Sequence, residues 1–128
     1  MRPLLWIISA VHLGTGLFML IDPKGWYDTV PGVSMLGAYN THFIRDVGLI
    51  YLVSASGFLF GLRRGSESAL LVAGAWPACH AIYHLWMWVG RGFAMDLVAL
   101  VNFAGIQLPA WLGLLAAWHL FRSRAKVT

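Results

Sequence analysis

Cysteine and charge are both scarce in this sequence. Cys79 is the only cysteine among 128 residues, which excludes a disulfide framework or a CxxC redox pair within one chain and argues against quinone-coupled disulfide chemistry on a four-helix scaffold. Only 11% of the residues are charged, far fewer than in soluble domains. Phosphate-binding glycine loops, GxSxG elbows and HExxH motifs are also missing. Nucleotide-binding, serine hydrolase and zinc protease signatures are therefore absent.

Apolar residues, by contrast, are abundant and arranged in long runs. They make up 59% of the chain, and the mean hydropathy is +0.71. Four runs, at about 3–21, 42–62, 69–89 and 97–121, are long enough to cross the roughly 30 Å hydrocarbon core of a bilayer. The sequence therefore predicts an all-α fold, a polytopic membrane four-helix bundle in a single domain over residues 1–128. The first run is predicted to be a retained helix, and the connection over 22–41, rich in proline and glycine, is predicted to contain no helix.

The basic residues predict the orientation of this bundle. One predicted side carries Arg2, Arg63, Arg64, Arg122, Arg124 and Lys126, whereas the other carries Lys24 and Arg91. Because loops rich in Lys and Arg remain in the cytoplasm, both termini are expected to be cytoplasmic. We therefore expect a multi-pass protein of a bacterial inner (plasma) membrane. The net charge of +4 forms no basic stripe with interleaved aromatic residues, so no nucleic-acid partner is predicted.

Histidines and one carboxylate recur at helical spacing near the outer ends of two predicted spans. His42 and Asp46 form an HxxxD pair, and His80 and His84 form an HxxxH pair. Residues four apart share one face of a helix, and imidazole with carboxylate is a ligand set for Zn, Fe or Cu. The sequence predicts that these four residues converge on one transition metal beneath the periplasmic surface. His12, at similar depth in the first span, is either a further ligand or a helix-contact residue.

Five polar neighbours are predicted to complete this cofactor-binding site. Arg45 would repel a metal ion, so it is assigned to an ion pair with Asp96 or to an anionic ligand. Asn40, Tyr83 and also Asn102 are predicted to donate hydrogen bonds that orient the ligands.

Pro77 lies one turn before His80 in the third predicted span. A proline has no amide hydrogen, so the carbonyl of Ala73 is expected to lose its helical hydrogen-bond partner. Such a position either borders a site or only improves helix packing.

Three stretches of the chain carry a resemblance to a known family. They are residues 26–33, the segment YNTHFIRDVG at 39–48 and the segment HAIYH at 80–84. With them the chain resembles a family of small bacterial four-helix integral membrane proteins of uncharacterised function, marked by an NxHFxRDxG stretch and an HxxxH pair. The resemblance implies an inner-membrane protein. It implies no substrate, cofactor or reaction.

Three functions remain open at this point. The first is a metal-binding membrane protein that holds, passes on or chemically uses its metal. The second is a haem b protein for electron transfer, with His42 or His12 on one side of the haem and His80 or His84 on the other. The third is a non-catalytic membrane partner or small-molecule binder whose polar network is structural. The expected partners are the lipid bilayer and either further copies of the chain or a membrane complex. An enzyme would need an open coordination position and a route for its substrate, which a sequence does not display, so the sequence leaves open whether the protein is an enzyme.

Overall fold

The computed structural model describes residues 1–124, and this part of the chain is helical without any β-strand. Lys126, which was included in the charge asymmetry, lies outside the described residues. The elements in chain order are α1 (Arg2–Ile21), α2 (Pro23–Thr29), a 3₁₀ turn (Val33–Met35), α3 (Thr41–Arg64), α4 (Glu67–Gly90), α5 (Leu97–Asn102), a π-helical turn (Phe103–Gln107) and α6 (Leu108–Arg124). The all-α prediction is confirmed for residues 1–124.

Three helical segments are long and apolar enough to cross a membrane. They are Arg2–Ile21, Thr41–Arg64 and Leu97–Ser123, the last of which joins α5, the π-helical turn and α6. The helix α4 has 24 residues, a comparable length, but it is not one of the three. Its two histidines, three tryptophans and proline lower its mean hydropathy.

The four long helical segments pack side by side in a closed ring. α1 packs on α3, α3 on α4, α4 on α6, and α6 returns to α1. Neighbours in this ring run antiparallel, as shown by Arg2, whose guanidinium donates a hydrogen bond to the carbonyl of Leu62 at 2.8 Å. The guanidinium of Arg63 lies 6.0 Å from the ring centre of Trp6. The start of α1 and the end of α3 therefore share one basic end of the bundle.

The helices α1 and α3 approach each other closely at two glycines. A Cβ atom on Gly16 would lie 2.7 Å from the carbonyl oxygen of Gly48 and 2.8 Å from a methyl carbon of Leu52. A Cβ atom on Gly48 would lie 2.9 Å from the Cβ of Met19. Only glycine permits this contact, which fixes the rotation of the two helices about their axes.

The connection between α1 and α3 differs from its prediction, because it contains α2 and the 3₁₀ turn. The prediction of a helix-free connection is wrong since Asp22 and Pro23 together start a short helix. The Asp22 carboxylate accepts a hydrogen bond from the Gly25 amide at 2.8 Å, and Pro23 occupies the first helical turn, where no amide donor is needed. Asn40 then starts α3 in the same way by accepting from the Phe43 amide at 3.1 Å.

The basic end of the bundle is filled with buried side chains, whereas the opposite end contains a cavity. Near the basic end, one cluster of buried apolar side chains joins all four long helical segments: Leu5, Ile8, Phe58, Leu62, Leu70, Ala73, Ala116 and Ala117. At the other end, only a small cluster of Met19, Ile44 and Tyr51 is buried between helices. The rest of that end surrounds a cavity.

Candidate functional site

A cavity of about 530 Å³ lies at the end of the bundle opposite the basic end. Its walls come from α1, α3, α4, α5 and the π-helical turn, and the connection over residues 22–40 covers it. This volume is in the range of small-molecule binding sites. The cavity is therefore the candidate site.

The covering connection is held in place at both sides of the cavity. Trp26 and Tyr27 pack against the small cluster at the end of α1 and α3, and the Tyr27 hydroxyl donates to the Gly37 carbonyl at 2.7 Å. On the far side, Gly32 lies so near Val98 of α5 that a Cβ atom would come within 2.5 Å of a Val98 methyl carbon. Gly32 also has a positive φ of 92°, which favours glycine. The connection thus reaches across the bundle from α1 to α5.

His80 and His84 both line this cavity from α4. Their ring centres are 4.5 Å apart in an edge contact, and the His80 ring stacks on Trp76 at 4.8 Å. Tyr51 of α3 meets His80 edge-on at 6.2 Å. The HxxxH spacing thus places two partly buried imidazoles on one wall, within a group of aromatic rings.

His42 and Asp46 lie outside the cavity, so the four predicted metal ligands do not converge. Their side chains are 87% and 55% exposed, and the His42 Nδ1 atom lies 2.9 Å from an oxygen of Asp46. Ile44 and the residues that follow it at helical spacing form the inward face of α3. His42 and Asp46 each lie two residues from Ile44, which corresponds to a rotation of roughly 200° about the helix axis, so their side chains point outward. No group of three or more metal-ligating side chains exists within residues 1–124.

Asp96 also has a different partner from the one predicted. Its carboxylate is paired with Arg91, not with Arg45, and accepts a hydrogen bond from the Ala99 amide at 2.9 Å, so it caps the start of α5. That amide bond, followed by Arg91, lowers the pKa of Asp96 below its usual value. Arg45 is exposed and does not line the cavity. The predicted Arg45–Asp96 pair is therefore wrong, because Arg91 is nearer along the chain.

The remaining polar residues predicted for the site do line the cavity. Asn40 lines the cavity and also caps the start of α3. Tyr83 lines the cavity from α4, and Asn102 lines it from α5. The sequence did not single out Tyr51 or Arg91 as lining residues. For Tyr51 the available signal was its place seven residues after Ile44, on the same helical face.

His12 belongs to a buried network that joins three helices. Its Nδ1 lies 3.1 Å from the hydroxyl oxygen of Ser54, and this hydroxyl donates to the Ala73 carbonyl at 2.7 Å. A serine has one hydroxyl proton, so the donor in the first bond is Nδ1–H of His12. Ala73 is the residue whose carbonyl Pro77 deprives of a helical partner, and Ser54 supplies the replacement. His12 therefore acts as a helix-contact residue here.

The histidine pairs proposed for haem are not arranged across the cavity. His12 does not line it, and the Tyr51 ring lies between, 5.3 Å from His12 and 6.2 Å from His80. His42 is outside it as well. Only His80 and His84, neighbours on one helix, face the cavity.

A comparison with protein-family models, with curated proteins and with solved structures finds no match to this chain. The resemblance to the small four-helix membrane family stays a prediction. The chemistry of the cavity is therefore the basis for the functional argument.

The polar side chains of the cavity can donate hydrogen bonds, and most of them can also accept. They include imidazole, phenol and amide groups of His80, His84, Tyr51, Tyr83, Asn40 and Asn102. Among the described residues, no carboxylate lines the cavity, and its one cationic side chain, Arg91, is already paired with Asp96. The remaining lining residues are mostly apolar or aromatic. Such a lining suits a neutral molecule that accepts hydrogen bonds better than it suits a cation.

Proposed function

We propose that this protein is a four-span membrane protein that binds a small organic molecule in the cavity at the outer end of its bundle. The observation that carries the proposal is the cavity of about 530 Å³ with His80 and His84 on its wall. A mostly apolar pocket with a few convergent polar groups is the usual form of a ligand site. The two imidazoles orient the molecule through hydrogen bonds.

The proposed topology includes α4 as the fourth span. The three other long segments of the ring are apolar enough to cross a bilayer, and α4 packs between two of them over a length of 24 residues. Its polar side chains His80 and His84 face the cavity, so they need not contact lipid. With Arg2, Arg63 and Arg122 at the cytoplasmic end, the cavity lies at the periplasmic end of a protein in a bacterial inner membrane.

The metal and haem alternatives have less support. A transition-metal site would need a third ligand beside His80 and His84, and no such group lies with them in residues 1–124. A haem site would have to use a single axial histidine, because no second one faces the cavity from another helix.

Leucine substitutions at the histidines test the proposal. Protein purified in mild detergent is extracted with organic solvent, and the extract is analysed by mass spectrometry. We expect His84→Leu to lower the amount of retained molecule about tenfold, since a buried hydrogen bond is worth about 1 kcal/mol or more. His42→Leu is the matched control because His42 is exposed at the same end of the protein, outside the cavity. It should leave retention unchanged.

Elemental analysis and an optical spectrum of the same preparation separate the alternatives. Stoichiometric zinc, iron or copper lost in both His42→Leu and His84→Leu would instead favour the four-ligand metal site, and a Soret band would favour haem. Equal retention of the organic molecule in His42→Leu and His84→Leu would contradict the cavity proposal.

A further inference from the structure

A second depression, a groove of about 380 Å³, lies directly beside the cavity. It runs between the end of α4 and the start of the last helical segment, and its lining is mostly apolar, with Leu85, Leu100 and Phe103 among its residues. These three side chains are also exposed on the outer surface of the bundle. In a bilayer, the groove faces acyl chains.

The cavity and the groove share one thin wall. Trp88, Ala99 and Asn102 line both of them. At the outer end, Arg91 lines the cavity and its partner Asp96 lines the groove, so this ion pair crosses the boundary. Only these few side chains separate the cavity from the lipid-facing surface.

Helix packing is weak at this wall. α4 packs closely on α6 and contacts the π-helical turn, but it makes no comparable packing against α5, and α5 has no buried residue. The π-helical turn is held to α4 by Gln107, whose amide donates to the Ala81 carbonyl at 2.9 Å and to Asn102 at 3.2 Å. On one side of this anchor α4 packs against α6, whereas on the other side α4 and α5 are not closely packed. Such π-helical segments often mark functional sites.

The covering connection and the loose packing of α5 against α4 both favour entry from the lipid side. The connection reaches from α1 to Val98 of α5 and covers the cavity on the aqueous side. The gap between α4 and α5 is bordered by apolar, exposed side chains on the lipid side. A ligand that dissolves in the bilayer therefore has the shorter route.

The cavity lining also restricts the chemical nature of the head group of such a ligand. Its only cation, Arg91, is paired with Asp96, so a free carboxylate would find no unpaired positive charge. Aromatic rings border the polar groups: Tyr51, Trp88 and Tyr83 line the cavity beside His80 and His84. Flat rings stack well on aromatic side chains, and carbonyl oxygens accept from imidazole and phenol donors.

We propose that the occupant is a quinone-type membrane lipid, with its neutral carbonyl-bearing ring in the cavity and its apolar tail in the groove between α4 and α5. It enters laterally from the bilayer through that gap. This inference rests on the proposed small-molecule function. It concerns only the binding of a quinone and not quinone-coupled disulfide chemistry.

The test uses decylubiquinone and the same ring without a tail, titrated into the full-length protein in lipid nanodiscs. Saturable quenching of tryptophan fluorescence reports binding, because Trp26 and Trp88 line the cavity. Leu100→Phe enlarges a side chain that lines the groove but not the cavity. It should weaken decylubiquinone binding about tenfold through steric conflict with the tail and leave the tailless ring within about twofold. Leu97→Phe is the matched control on the same helix, since Leu97 is exposed and lines neither depression.

Three results would overturn the inference. One is equal decylubiquinone affinity in Leu100→Phe and Leu97→Phe. Another is the absence of saturable quenching by either quinone probe. The third is displacement of decylubiquinone by palmitate at a similar concentration, which would show that the head group bound in the cavity is a carboxylate. If a retained molecule still depends on His84 in any of these cases, the small-molecule function stands and only the quinone assignment fails. Loss of that dependence would remove both.

Discussion

Replacing Gly16 with alanine should destabilise the bundle by about 1–3 kcal/mol, the usual cost of an added methyl group in a tightly packed interface. The new Cβ would lie 2.7 Å from the backbone carbonyl oxygen of Gly48, which cannot move without shifting α3. α1 and α3 would have to separate. The midpoint of unfolding of the detergent-solubilised protein, followed by far-ultraviolet circular dichroism, measures the change.

Gly14→Ala is the matched control on the same helix. A Cβ atom on Gly14 would have no neighbouring heavy atom within 4 Å, so only the better helix propensity of alanine remains. Its stability should be unchanged or slightly higher. Gly48→Ala should destabilise the bundle about as much as Gly16→Ala. The double variant should lose less stability than the two single variants added together, because each substitution separates the same two helices. Equal stability of Gly14→Ala and Gly16→Ala would contradict the close glycine contact.

Replacing Ser54 with alanine should cost about 1–2 kcal/mol of stability, within the range for a buried hydrogen bond between membrane helices. The hydroxyl of Ser54 connects His12 of α1 with the Ala73 carbonyl of α4. Without it, the Nδ1–H donor and this carbonyl both lose their partner in an apolar interior. The same unfolding measurement in detergent reports the loss.

Two further variants make this prediction specific. Ser56→Ala alters an exposed serine on the same helix and should change stability by no more than about 0.5 kcal/mol. Pro77→Ala restores an amide that can bond to the Ala73 carbonyl, so Ser54→Ala should cost less in that background. An undiminished cost in the Pro77→Ala background would show that the Ala73 carbonyl contributes nothing to the effect.

The buried network and the cavity occupy different levels of the same bundle. The Ser54 hydroxyl and the His12 ring lie where α1, α3 and α4 are packed together, whereas His80 and His84 lie where the helices open. Tyr51 contacts both levels through His12 and His80. Substitutions at Ser54 are therefore expected to act on stability, and substitutions at His84 on ligand retention.

The sequence alone determined the long helices and the pairs of residues that share a face. Apolar runs bounded by Asn40, Gly65 and Ser66 follow from length and capping preferences, which are local properties of the chain. In the same way, the i,i+4 spacing placed His80 beside His84 and His42 beside Asp46. It also indicated that Pro77 leaves the Ala73 carbonyl in need of a donor.

The direction in which those faces point depends on contacts between helices. Exposed and buried positions of α3 both carry apolar residues, so hydropathy does not reveal how α3 is rotated about its axis. That rotation depends on the contact between Gly16 and Gly48 and on the bonds of Ser54 to two other helices. These distant contacts turn His42 and Asp46 outward. His80 and His84 therefore line the cavity without His42 and Asp46. Helix formation depends on residues close together in the chain, whereas packing between helices depends on residues far apart in it.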